Sequence, residues 1–427
     1  MKGFDGDEFC LVGPFFMQTA GFLNASGIFF AMVDLLPGLI VSLLLLANNG
    51  KVYSAEDLLH RVSVNAAGIP AATMIRSGAQ VWTGQILPQK IEGIAVEEQL
   101  HDCITQLEQL LNGSGSSLSL AARLHVCAAS GEHLRAVMEE LPGHFPKGRC
   151  PAISYVVSRL PDGALVGLDV VASRESTSKL AVSRRPEVAI LPEGQKIFIA
   201  GQAEPSQGLE EATAKTLESL SRTLKFLGRT DQDIVQLKAF VQPMSEADVV
   251  RQAVGKFYEE AEVPPLVLVE WDSSAEVPIE IELVAWGGPV EAGRAVLEFV
   301  TPPDMTRSPV YSRVCRTQHP VTIFVGSLHG EQSTTDTDPV RNAEVEVASL
   351  FGKLENILQE CGSDLRHMTK ATYYVSSEPV SQSLNVQRRK WYDPERPPAA
   401  SKAMVTSAGS SKPGMTLDMI AIPALPQ

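Results

Sequence analysis

The sequence predicts an α+β protein of three tandem units, each a β-sheet with two helices on one face. Three observations predict it. A β-prone run closing on glycine occurs three times, in "AQVWTGQ" (79–85), "QKIFIAGQ" (195–202) and "VTIFVGS" (321–327). Its glycines, Gly84, Gly201 and Gly326, lie 117 and 125 residues apart, the size of a small domain and too long for a solenoid repeat. A proline-bearing run that leads to an acid also recurs, as "CPAISYVVSRLPDGALVGLDVVA" (150–172), "VPPLVLVEWDSSAEVPIEIELVA" (263–285) and "RPPAASKAMVTSAGSSKPGMTLDMIAI" (396–422). From proline to acid the spacing is 18 residues for Pro151 to Asp169, 18 for Pro264 to Glu282 and 20 for Pro398 to Asp418. The third observation is a pair of amphipathic stretches between the two runs in every unit.

After each glycine a helix is expected. Leu100, Ile104, Leu107 and Leu111 step by four, three and four; Leu217, Leu220, Leu224 and Leu227 by three, four and three; Val347, Leu350, Leu354 and Ile357 again by three, four and three. One apolar stripe at helical spacing means one face packed on a sheet. Gly113, Gly228 and Gly362 are read as left-handed helix stops. A strand follows ("AARLHVCA", "IVQLKAFVQ", "MTKATYYVS"), then a second helix, which in the middle unit opens on Ser245 as N-cap with Asp248 in the capping-box position. The proline-bearing run closes each unit as a last hairpin. Linkers are expected at 174–183 and 287–295, both polar or glycine-bearing. The units then span 68–175, 181–290 and 296–425, each with the order β…β-α-β-α-β-β.

Residues 1–60 form an apolar extension of a different kind. "IFFAMVDLLPGLIVSLLLLA" (28–47) has the length of a membrane span. Asp34 and Pro37 interrupt it, and an acid near the middle costs about 2.5–3.5 kcal/mol on insertion scales. A membrane anchor, a buried helical extension and a misassigned start site all stay open. The formal charge of −14 disfavours a broad grip on nucleic acid or anionic lipid. Six scattered cysteines without a C-x-x-C pair suit a reducing, cytoplasmic setting. No tight histidine–cysteine spacing calls for a metal, and no cofactor is expected. "NGSGSSL" (112–118) follows a helix, so it is no phosphate loop.

The combination of Gly-Gln after the early strand, a helix with E-E-Q, Pro-Ala before the last strands and a last strand reading "IEIELVA" resembles the RidA/YjgF family of reactive-intermediate deaminases. The resemblance implies a chorismate-mutase-like unit that normally forms a homotrimer with ligand clefts at its three interfaces. It also implies that three copies in one chain associate with each other as a single-chain pseudo-trimer. Gly84, Gln85, Gly201, Gln202 and Gly326 would then line clefts. In that family an arginine after Pro-Ala holds the substrate carboxylate; its position falls here on Ile153, Leu266 and Ala400. Arg149 and Arg396 stand four residues earlier, about 13 Å along a strand, and are not expected to reach the same spot. The family's water-positioning glutamate corresponds to Glu280 in the middle unit, with Gly167 and Thr416 in the others; the second acid persists as Asp169, Glu282 and Asp418.

Losing a carboxylate-binding arginine in a desolvated site costs roughly 2–5 kcal/mol. The expected function is therefore binding of a small molecule or protein partner at inter-unit clefts, with weak or absent imine-deaminase activity. The first alternative is a deaminase or hydrolase for a substrate without a carboxylate, with Glu280 orienting water. The second is endoribonuclease-like RNA cleavage, which the acidity disfavours.

Overall fold

A computed structural model describes residues 58–425 except 77, 177–179, 260–262, 273–276, 327, 333–336 and 410–413. The apolar stretch 28–47, and with it the extension up to residue 57, lies outside the described residues. Among the described residues no helix is long and apolar enough to cross a membrane.

The chain opens with a hairpin, β1 (Leu59–Val64) and β2 (Pro70–Ile75). The first unit follows as β3 (Ala79–Thr83), α1 (Val96–Gly113), β4 (Ala121–Ala128), α2 (Gly131–Glu140), β5 (Ala152–Val157) and β6 (Val166–Arg174). A second hairpin, β7 (Ser183–Arg185) and β8 (Val188–Leu191), leads into β9 (Gln195–Gln202), α3 (Leu209–Phe226), β10 (Ile234–Val241), α4 (Ala247–Tyr258), β11 (Leu266–Glu270) and β12 (Ile279–Gly288). A third, β13 (Leu297–Val300) and β14 (Val314–Thr317), leads into β15 (Thr322–Val325), α5 (Pro339–Glu360), β16 (Met368–Val375), α6 (Glu378–Trp391), β17 (Ala399–Met404) and β18 (Met415–Ala421).

Among the described residues these strands form three six-stranded sheets of one topology: β5-β4-β6-β3-β8-β7, β11-β10-β12-β9-β14-β13 and β17-β16-β18-β15-β2-β1. The expected alternation of strands and helices is present in each, and the fold is α+β. Two expectations change. The proline-bearing run is not a hairpin: β5 pairs parallel with β4, and β6 pairs antiparallel with the other edge of β4. An α-helical crossover between β4 and β5 permits the parallel pair, which a tight turn could not. The short hairpins were also missed, and each completes the sheet of a neighbouring unit: β8 pairs with β3, β14 with β9, and β2 with β15.

The two long helices of each unit cover one sheet face, as the stripes require. Leu100, Leu107 and Leu111 pack on Leu124, Val126 and Val170 in the first unit, and Leu217, Leu220 and Leu224 on Leu237 and Leu283 in the second. Val347, Leu350 and Leu354 pack likewise in the third. Gly228 and Gly362 take the left-handed conformation (φ +72° and +68°) at the helix ends. Gly113 does not: it is the last helical residue, and Gly115 (φ +72°) makes the turn. Ser245 is no cap either, because a 3₁₀ turn (Met244–Glu246) precedes α4, whose first flanking residue is Glu246.

The opposite faces of the three sheets meet one another. Trp82, Phe198 and Phe324, one from each sheet, share a cluster with Val171, Val284 and Ile420. Cys127, Phe240 and Tyr374, on β4, β10 and β16, belong to a second shared cluster.

Candidate functional site

The same register shift interrupts β4, β10 and β16 at their starts (Ala121/Arg123, Ile234/Gln236, Met368/Lys370) and sets which residues face inward. Between the two shared apolar clusters this puts two polar rows. One is Arg123, Gln236 and Lys370; the other is His125, Lys238 and Thr372. Opposite them on the closing strands stand Asp169, Glu282 and Asp418, paired in register with His125, Lys238 and Thr372.

The structure thus places the three acids, expected at clefts, in the closed interior, where each is at most 3% exposed. Arg123 bonds both Asp169 of its own sheet and Asp418 of the third. Lys238 lies 3.5 Å from Asp418, and Lys370 lies 2.6 Å from Glu282. Three cations thus balance three carboxylates, the condition under which charges survive burial. Burial alone would raise the Asp169 and Asp418 carboxyls, but Arg123 and Lys238 hold both well below the usual carboxylate range. His125 donates from Nδ1 to Asp169 Oδ2 at 2.8 Å, and burial lowers its pKa to about 4, so the ring is neutral. Cys127 Sγ lies 3.8 Å from His125 Nε2, yet burial pushes its thiol up to about 12. A thiol so disfavoured as thiolate is packing material and not a nucleophile.

The glycines and the proline-bearing strands do come together, each pair from two different sheets. At the first junction Gly84 backs onto β11: Gln85 N–H donates to Leu266 O (2.9 Å) and the Gln85 amide to Leu268 O (2.9 Å). Leu87, Leu160 and the same amide crowd the place that a side chain on Gly167 would take. The third junction pairs Gly326 with β5. Ile153 is fully buried there, Ser154 Oγ donates to Leu417 O (3.0 Å), and Thr416 Oγ1 donates to Leu328 O (3.2 Å). Both junctions are filled by the protein's own groups.

The second junction, Gly201 against β17, is equipped differently. Gly201 N–H donates to Ser401 Oγ at 3.0 Å, and Ser401 in turn bonds the Glu280 carboxyl. A Cβ on Gly201 would collide with that carboxyl, so the Glu280 side chain occupies the space that this glycine leaves open. Ala400, beside Ser401, is part-buried and brings no polar group. The Gln202 amide donates to Thr223 Oγ1 at 3.0 Å and packs beside Met305. Burial and Glu282, two residues along the same strand, push the Glu280 pKa up to about 7, against the pull of Ser401, Lys402 and Arg313. A carboxyl poised there can both give and take a proton near neutral pH. Lys402, Ser401 and Arg313 escaped the sequence reading. Ser401 and Lys402 directly follow Ala400, whereas Arg313 lies in a segment with no counterpart of similar length in the other units.

That segment is the β13–β14 connection. The corresponding hairpins turn within residues 65–69 and 186–187, whereas this one runs over 301–313. Arg313 Nε donates to Thr306 O (3.0 Å), and its guanidinium lies 5.0 Å from the Tyr311 ring centre. Among the described residues no group of three histidine, cysteine, aspartate or glutamate side chains is placed to hold a metal ion.

No family model matches the chain, and no curated protein matches it. Solved structures similar to parts of it include a YjgF-family protein from Neisseria meningitidis, 16% identical, with 28% of this chain and 97% of that one covered at a TM-score of 0.22. A Rid-family protein of unknown function from Yersinia pestis is 30% identical over 22% of this chain and 80% of its own, at a TM-score of 0.20. The YjgF gene product of E. coli is 24% identical over 22% and 81%, at a TM-score of 0.21.

Proposed function

We propose that this chain is a divergent protein of the RidA/YjgF kind, three tandem units (68–175, 181–290 and 296–425) acting as a single-chain pseudo-trimer, that binds a small molecule at one of its three inter-unit clefts. The observation that carries this reading is the second junction. Glu280, with a pKa near 7, sits there against Gly201 and Ser401, while the equivalent positions are Gly167 and Thr416 and their junctions are filled. The family's carboxylate-holding arginine is replaced by Ile153, Leu266 and Ala400 at all three, which argues for weak or absent turnover of 2-imino acids.

A ligand-observed magnetic-resonance screen against small metabolites tests the binding site. Hits are expected to weaken in Glu280→Gln and Ser401→Val; a set of hits untouched by both places binding elsewhere and removes this reading. A coupled 2-aminoacrylate deamination assay should show little turnover, and substantial turnover would overturn the inactive assignment. The poised pKa of Glu280 favours one second reading, a deaminase or hydrolase for a substrate lacking a carboxylate. It predicts an activity that survives Ser401→Ala in part and is abolished in Glu280→Gln.

A further inference from the structure

The three hairpins offer a comparison within one molecule. Arg61 of β1 pairs in register with Thr73, and Thr73 with Phe324; Arg184 of β7 pairs with Ala189, and Ala189 with Trp82. Phe299 of β13 pairs with Cys315, and Cys315 with Phe198. Since Phe324, Trp82 and Phe198 are the three counterparts at the shared cluster, Arg61, Arg184 and Phe299 hold equivalent places. Arg61 donates to the carbonyls of Cys150 (2.7 Å), Arg149 (2.8 Å), Ser119 (3.1 Å) and Ala121 (3.4 Å), so its guanidinium plugs that junction. Arg184 donates to the carbonyls of Asp231 and Ile234. Phe299 has no such group to offer.

At the Phe299 junction lies a cavity of about 330 Å³ lined by Phe299, Thr301, Arg307, Ser308, Tyr311, Ser312, Glu395 and Pro397. Most of the lining comes from the long 301–313 connection. Arg396, between two lining residues, carries its guanidinium 5.5 Å from the Phe299 ring centre, and its Nε is buried with no hydrogen-bond partner. Arg307 is held at the mouth by Glu395 at 2.5 Å, both side chains more than half exposed. Arg313 stacks on the lining Tyr311. Three arginines against one contacting carboxylate is the reverse of a chain whose net charge is −14.

We infer that this cavity is a second binding site, distinct from the Glu280 cleft, for a compact molecule bearing a phosphate or carboxylate group that Arg396 and Arg307 hold between the Phe299 and Tyr311 rings. The planar guanidinium fork suits such an oxyanion. The volume lies at the small end of ligand sites, so the body carrying the anion is small. Because the chain as a whole repels anions, binding through bulk charge is disfavoured. Exchange of Glu395 for the ligand's oxyanion frees Arg307 without leaving a buried charge, since both side chains face water.

Titration calorimetry of the full chain with inorganic phosphate and, separately, with malonate at constant ionic strength tests the site and tells the two oxyanions apart. Saturable binding of at least one is expected. Arg396→Gln should weaken it about tenfold or more. Phe299→Arg, which installs the plug that the other junctions carry, should abolish it while leaving the melting temperature at or above that of the parent. Glu280→Gln should leave it unchanged, which separates this site from the neighbouring cleft. Absence of saturable binding by either anion, or binding unaltered in both Arg396→Gln and Phe299→Arg, would overturn the proposal.

Discussion

At the scale of single residues, Glu280 makes a stability claim that pH can read. Its carboxyl is held up at about 7 in the folded chain against 4.5 in free peptide. The folded state therefore binds the proton more tightly than the unfolded one. The associated stability is fully present below pH 4.5 and is lost as pH rises through about 7. A shift of this size corresponds to about 2–3 kcal/mol after allowance for its partial exposure. Glutamine cannot titrate, so Glu280→Gln should gain about that much stability relative to wild type between pH 4.5 and 8 by urea denaturation. A pH-independent difference between the two proteins would contradict the buried, raised carboxyl. The acids one step along the strands behave oppositely. Asp169 and Asp418 are held low, so their contribution is present above pH 4 and fades in acid. The motif "IEIELVA" and its counterparts made these positions legible in sequence, but not their surroundings. Arg123, Lys238 and Lys370, with His125, Gln236 and Thr372 beside them, interrupt the apolar runs of their strands, and that inward polar signal is visible in "AARLHVCA", "IVQLKAFV" and "MTKATYYV" only once a shared interior is assumed.

At the scale of elements, long periodic helices and apolar strands were readable because one face of each is buried against its own unit. The hairpins were not. Strand β7 is three residues, "SRR", with mostly exposed positions, and it begins on the last residue of the expected linker. Its partner sheet belongs to the preceding unit, so local sequence carries no trace of the pairing. The fastening is nonetheless specific. Arg61 joins the first hairpin, which completes the third sheet, to carbonyls of the first unit. Burial lowers its pKa to about 10, far enough above neutrality to keep it charged. Arg61→Ala leaves those carbonyls without their donor and should cost about 2–3 kcal/mol. Arg61→Lys should recover only part of it, since one ammonium cannot span four acceptors. A chemical-denaturation difference below about 0.5 kcal/mol for Arg61→Ala would mean that water replaces the guanidinium at no cost.

At the scale of the whole molecule, the exchange of hairpins closes a circle. The hairpin ahead of the second unit completes the first sheet, the one ahead of the third completes the second, and the one ahead of the first completes the third. A head-to-tail arrangement of this kind is satisfied only when the last member meets the first. Residues near the start of the described chain thus seal the sheet that contains its end, and β2 covers an edge of β15 that would otherwise be an open template for pairing. Light scattering of the intact chain should then give a mass near 46.0 kDa, whereas about three times that value would mean that the units associate between chains. Excising residues 58–76 separates the two accounts further. If the circle is closed within one chain, the excised protein loses the cover of β15 together with the four Arg61 bonds. It should unfold at lower denaturant concentration and self-associate with rising concentration. Adding a synthetic peptide of residues 58–76 should reverse both effects, because the vacated edge still presents the register that β2 reads. An excised chain as stable and as monodisperse as the parent would show that the first hairpin is an ornament on the third sheet and not its closing strand pair.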